Sequence, residues 1–531
     1  MTRETRRYRR KARKGGDGMR AKDARETLLR AGMGCFVFAA AATAAGALLL
    51  PYARACFGFG ALAQGASFAL SLCGFIALGR ALAHAREERL ARAARVAVPA
   101  FLAALFALHL CLGYLMAYTP SGDNAMLIGA SRMLAQTGSL DGNPDYGLYL
   151  SRFSNQWGFL LMLSAVFRLL GAVGLGGMLY PLVVLQAALL AAGVWALLAM
   201  ARELSGARGE MALLASLACF FPLYLAAAVL YTDTFSMPFV LLTLRCGLRV
   251  PRARTGKARL TAALGCAVFA VVGAQIKPTV LIALIASCIV WLLSLRPRQA
   301  LACALLCACL TASVSLGVKA FMLERVLDRA VYAQEHTPAI HWVMMSIPTG
   351  DNPYGGLNNG DYAITWGMMD DGATQEEVMA SILTRMKDRI YTLRYPNRLF
   401  AAALRKNAAG MADGTFGMTE MLDDGPVREN VISSFVLEGR AHYIAYSAVC
   451  CGMWLAHLAL AALGCARDIR NRDVRAAMPA VAMFGMMLFL MLWEARGRYA
   501  FAFTPVLLLL SARGQAAVSG ALDARLRGRR P

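Results

Sequence analysis

The sequence predicts an all-α polytopic membrane protein with about twelve spans. Three observations predict it. Of 531 residues, 58% are hydrophobic and 16% are charged, against about 25% charged in an ordinary soluble protein. Apolar runs close to the roughly 20 residues needed to cross a bilayer recur along the whole chain. Basic residues fall mainly in alternate loops, as in proteins that keep their positive loops cytoplasmic.

The N-terminus is dense in Arg and Lys (Arg3, Arg6, Arg7, Arg9, Arg10, Lys11, Arg13, Lys14). The apolar segment after it is longer than a typical signal-peptide core and more spans follow, so it is read as a retained first helix. The spans expected are 29–50, 60–79, 97–117, 178–200, 211–230, 234–248, 260–275, 279–295, 299–318, 443–464, 476–493 and 500–518. Both termini then lie on one side.

Charge supports this parity. The loops on the terminal side (1–30, 80–96, 201–210, 245–259, 296–298, 467–475 and 513–531) hold 36 of the 55 Lys and Arg and 11 of the 32 Asp and Glu, a net of +25. The opposite face carries a net of −2. The overall +23 is therefore a sidedness signal, and nucleic acid is not an expected partner. Most of the 14 cysteines lie in apolar segments, as small hydrophobes do. Cys56 is the one placed in an outer loop.

Two outer segments exceed simple connectors. The first, 118–178, contains a helix expected over Asn124–Thr137 and an apolar stretch, Trp157–Leu170. Charge parity places that stretch along the outer interface rather than across the bilayer. The second, 319–441, has a turn-rich part (Thr349–Asn359) and amphipathic helices near Gln375–Ile390 and Asn397–Met411. The chain thus divides into a basic tail (1–28), a hairpin and basic loop (29–96), a core (97–318), a large outer loop (319–441) and a C-terminal membrane part (442–531).

Residues able to do chemistry collect on the outer face. Asp123 and Asp233 stand at the outer mouths of different helices, where a carboxylate can accept a proton; a helix cap is the plain alternative for each. Lys277, between two apolar segments, is disfavoured there unless it holds an anion or snorkels. Arg496 and Arg498, with Tyr499, suit a phosphate or an interfacial belt. His341, Trp342 and the stretch Gly355–Tyr362 could form a binding loop. His336 and His341 have no obvious third partner, so no zinc site is expected.

Four local matches, in order and on one side, resemble the GT-C superfamily of polytopic glycosyltransferases. They are Asp123, the run Phe153–Gly158 with Asn155 and Gln156, the Tyr231-Thr232-Asp233 element, and Arg496/Arg498/Tyr499 with Pro505. The chain is most similar, over roughly 97–518, to the family 39 relatives of protein O-mannosyltransferases and lipid A aminoarabinose transferases. The resemblance implies a GT-C fold with extracytoplasmic juxtamembrane helices. It also implies inverting transfer of a sugar from a polyprenyl-phosphate donor to a glycan or protein acceptor. Asp123 would be the base and Asp233 its assistant. Asn155, Gln156, Lys277, Arg496, Arg498 and Tyr499 would bind substrate.

Where many relatives carry a Glu, this chain has Asn124, so no metal is assigned and a divalent metal stays open. The implied location is a bacterial inner membrane, with both termini cytoplasmic and membrane lipid as a partner. A transporter or lipid flippase, and a lipid-linked glycan polymerase or ligase, are the other function classes that the pattern admits.

Overall fold

The computed structural model describes residues 3–49, 61–349, 356, 358–422, 426–427, 429–494, 496–526 and 528. Cys56 and most of the turn-rich Thr349–Asn359 stretch lie outside the described residues. All regular structure among the described residues is helical. Eight helices are long and apolar enough to cross a membrane: Asp23–Leu48, Leu62–His84, Glu87–Leu115, Tyr180–Ala218, Gly256–Ile276, Pro297–Arg325, Tyr443–Arg470 and Gly497–Arg525. Pro278–Ser294 and Ala477–Leu492 are shorter apolar helices.

The reversal expected at 201–210 occurs, but without an extended loop. Helix runs through these residues, broken only at Gly206 (φ 70°, ψ −166°), a backbone region open essentially to glycine alone. There the chain reverses. Gln186, near the start of the first leg, donates to the carbonyls of Ala226 (2.7 Å) and Val229 (3.3 Å), so the second leg returns antiparallel beside it. The Glu87 carboxylate accepts from the Ala207 amide at 2.6 Å, which places negative charge on the new helix N-terminus.

The second leg is helical to Ala218 and again over Phe221–Leu225. It then becomes a buried irregular stretch that leads to Tyr231. The expected span 211–230 is thus only partly helical, because its last residues are spent in that stretch. A total of twelve is reached only by counting this second leg, Met237–Arg252 and the two shorter apolar helices with the eight, so twelve remains a proposal.

The bundle has an inside and a lipid-facing outside. Tyr443–Arg470 and Gly497–Arg525 are 78% and 83% buried in their apolar windows, whereas Leu62–His84 and Pro297–Arg325 are each 11% buried. The two central helices meet where Gly464 faces Gly514, and a Cβ on Gly464 would stand 2.7 Å from the Gly514 Cα. Small residues at such a crossing let two backbones pack directly.

The outer helices form where sequence pattern placed them: Gly122–Thr137, Trp157–Ala172, Gln375–Thr392 and Pro396–Met411. Gln375–Thr392 opens on a capping box, Thr374 and Glu377 bonding reciprocally. Trp157–Ala172 has 16 residues, as do Met237–Arg252 and Ala477–Leu492, so length alone does not separate it from a span. Its placement in the interface is a matter of charge parity.

Candidate active site

The candidate site lies beyond the end of the helix Glu87–Leu115, where the chain leaves the bundle. Asp123 lies in the first turn of Gly122–Thr137, but Ser121 occupies the cap position. The Asp123 carboxylate instead accepts from Tyr231 Oη at 3.4 Å. It is half-buried, so a solute can reach it. Burial raises its pKa above the usual aspartate value, and Arg498, Tyr231, Arg496 and Tyr149 pull the other way.

Tyr231 joins two of the sequence motifs. Its hydroxyl also receives a hydrogen bond from Gln156 Nε2 at 3.1 Å. Burial pushes the phenol far above its ordinary pKa, so it stays a donor at neutral pH. Tyr149, which the sequence did not single out, lies buried beside the same pair, and its phenol lowers the Asp123 pKa. Asn155, by contrast, is exposed beside the short 3-10 turn Ser154–Gln156, and among the described residues it takes no part in this network.

Asp233 is 2% exposed. It sits in the turn Thr232–Phe235, and here too no side chain caps the helix. Lys277 Nζ bonds directly to Oδ1 of Asp233, and Arg498 Nε stands 3.7 Å from Oδ2. The cap reading of Asp233 and the snorkelling reading of Lys277 both give way, because each charge is turned inward onto the other. The Lys277 ammonium also lies 4.1 Å from the Tyr499 ring centroid, and the Arg498 guanidinium 5.6 Å from the rings of Tyr231 and Tyr499. Cations over aromatic faces recover part of the energy lost on leaving water.

Two acids escaped the sequence reading. Glu420 holds Arg496 at 3.0 Å and Arg498 at 3.7 Å. Glu494, nearly buried, accepts from Tyr499 Oη at 2.8 Å. Burial raises the pKa of both against the pull of Arg498 and Arg496. Lys406, from the large outer loop, donates to the carbonyls of Met491 and Trp493, each at 2.9 Å, and so fixes the strap that carries Glu494 through Tyr499.

The stretch expected to be a binding loop contributes an aromatic wall. Tyr149, Phe153, Trp342, Tyr362 and Trp366 stand ring against ring, with centroids 4.5–5.7 Å apart. The Glu494 amide donates to the Trp342 carbonyl at 3.1 Å, which ties this wall to the strap. His341 is buried against Thr365, and His336 stacks on Tyr332.

The donor set does not suit a divalent metal. The neighbour of Asp123 is the buried amide Asn124, bonded to Tyr118, and both oxygens of Asp233 face cations of the chain itself. Among the described residues no cluster of three or more His, Cys, Asp or Glu side chains is spaced to hold an ion.

A family model described as "Conserved hypothetical integral membrane protein" matches residues 143–517. A search of curated proteins finds no match. Matches among solved structures include a crystal structure of ArnT from Cupriavidus metallidurans bound to undecaprenyl phosphate. It is 16% identical, with a TM-score of 0.34 over 81% of this chain and 80% of that one. ArnT in the apo state gives 16% identity and a TM-score of 0.31 over 82% and 80%.

Proposed function

The chain belongs to the conserved hypothetical integral membrane protein family, and from that premise we propose that it is a membrane glycosyltransferase of GT-C type. It moves a sugar from a polyprenyl-phosphate donor to an acceptor hydroxyl on the extracytoplasmic face. One observation carries the reading. Four sequence motifs, separated by up to several hundred residues and grouped by resemblance alone, supply Asp123, Gln156, Tyr231 with Asp233, and Arg496 with Arg498 to one connected cluster.

The chemistry asks for a base and for cations, placed apart. Asp123 is the reachable carboxylate, and its raised pKa keeps it basic enough to take a proton from a hydroxyl. The acceptor oxygen forms a bond to the anomeric carbon as the bond from that carbon to the phosphate oxygen breaks. The proton goes to Asp123, and the configuration inverts. The charge that grows on the leaving phosphate falls to Arg496 and Arg498, which Glu420 holds in place.

Asp233 is too buried to meet substrate, so it acts by holding Lys277 and Arg498. The aromatic wall of Trp342, Tyr362 and Trp366 offers faces against which a sugar ring can stack.

The test is transfer from a purified polyprenyl-phosphate sugar by full-length protein. Asp123→Asn is expected to lower kcat by at least about 100-fold, the scale of general-base catalysis, while thermal stability stays near wild type. Wild-type turnover in that variant removes Asp123 as the base. Ion-coupled uptake in proteoliposomes without sugar transfer would favour the transporter reading instead.

A further inference from the structure

A cavity lies on the face opposite the acid cluster. Its volume is about 550 Å³, and its walls include Arg95, Pro99, Trp195, Arg202, Glu203 and Arg245. Arg95 sits 20 residues before Leu115, the end of the helix that leads to Asp123, which is about 30 Å of helix at 1.5 Å per residue. That is the thickness of a bilayer's hydrocarbon core. The two sites therefore address opposite leaflets.

The charges in this cavity are unevenly answered. Glu210 pairs with Arg202 at 3.3 Å, and Glu203 with Arg249 at 3.5 Å and Arg252 at 3.2 Å. Among the described residues neither Arg95 nor Arg245 has a carboxylate within ion-pair distance. Arg245 is 8% exposed, bonded to the Ala196 carbonyl at 3.3 Å, with its guanidinium 4.3 Å from the Trp195 ring centroid. A guanidinium taken out of water without a direct ion pair is costly, and its planar fork matches phosphate oxygens. The remaining wall is apolar (Ala94, Val98, Pro99, Leu198, Ala199), and Trp195 is half exposed on the outside of the bundle. A ligand with a phosphate at one end and a hydrocarbon body at the other fits both parts.

We propose that this cavity holds the phosphate-bearing headgroup of an anionic membrane lipid between Arg95 and Arg245. Basic pockets between membrane helices take anionic headgroups by this chemistry. The proposal does not depend on the transferase reading, since none of its residues belongs to the acid cluster.

Full-length protein in a neutral detergent is incubated separately with phosphatidylglycerol, phosphatidylcholine and inorganic phosphate, and bound species are counted by native mass spectrometry. We expect one phosphatidylglycerol retained in preference to phosphatidylcholine. Its affinity should fall about tenfold in Arg95→Gln and in Arg245→Gln, the loss of one charge-assisted contact, and remain unchanged in Asp123→Asn. Arg95 is exposed, so its variant decides the matter if the buried Arg245 cannot be replaced without unfolding. Equal retention of the two lipids, or undiminished phosphatidylglycerol binding in Arg95→Gln, overturns the proposal. Binding of inorganic phosphate that Arg95→Gln abolishes, without lipid selectivity, rejects the lipid as the source of the phosphate.

Discussion

Asp233 and Asp123 look alike in sequence, and burial separates them. Asp233 is enclosed between Lys277 and Arg498, so Asp233→Ala strands two cations in a low-dielectric site. Breaking such a buried pair costs about 3–5 kcal/mol, and a large fall in the thermal midpoint in detergent is expected. Replacing Lys277 with Met in the same chain should recover part of the loss, since one stranded charge is then gone. If Asp233→Ala melts like wild type, the contacts of Asp233 with Lys277 and Arg498 are not structural. Asp123 gives a pH signature. Burial, its largest influence, raises its pKa, and the base works only when ionised. Log kcat/KM should therefore fall on the acid side at a pH above the ordinary aspartate value of about 3.9. Tyr231→Phe removes a hydrogen bond that lowers this pKa, so the acid limb should move to still higher pH. A limb that stays put or moves down would assign the titration to another group.

At the scale of elements, what local rules govern was legible. The helices at Gly122–Thr137, Gln375–Thr392 and Pro396–Met411 arise from apolar period, caps and a leading proline, all of them local. The reversal between 201 and 210 was expected, but its sharpness at the single residue Gly206 was not legible, because it takes partners. The Glu87 carboxylate on the Ala207 amide, and Arg513 on the Leu204 carbonyl and the Ser205 hydroxyl, hold this turn from other helices. Glu420 was hidden for a similar reason. It reaches Arg496 across 76 residues of chain, from a loop folded around Asp413, which accepts from Thr415 and Gly417. Gly206→Ala tests the reversal. An alanine at φ 70°, ψ −166° is strained by about 1–3 kcal/mol, and its Cβ would stand 2.6 Å from Glu87 Oε1. We expect a lower thermal midpoint and reduced yield of folded protein, with no change in KM for the protein that folds. An unchanged midpoint would mean that the turn tolerates a side chain.

For the whole molecule, the charge division is the feature that composition made plainest, and it predicts which way the site faces. On that division the basic loops lie at one end of the bundle and the acid cluster at the other. If the basic face is cytoplasmic, the helices Gln375–Thr392 and Pro396–Met411, whose Lys406 pins the strap over the cluster, must lie outside. A fluorescent protein fused after Leu526 should then fluoresce, and alkaline phosphatase inserted at Gly372, an exposed turn between two outer helices, should be active. The same pair of reporters counts crossings. An even number puts fusions at the two termini on the same side, and an odd number puts them on opposite sides. Trp157–Ala172 is the helix that could change the parity, since it is apolar but only 16 residues long. If it crosses, everything after it is inverted, and Arg496 and Arg498 would leave the face that holds Asp123. The electrostatic pull of Arg498 and Arg496 on Asp123 requires them together, so cytoplasmic reporters at both ends and an external one at Gly372 are the expected result. Opposite sidedness of the termini would overturn the arrangement of the whole bundle as well as the count.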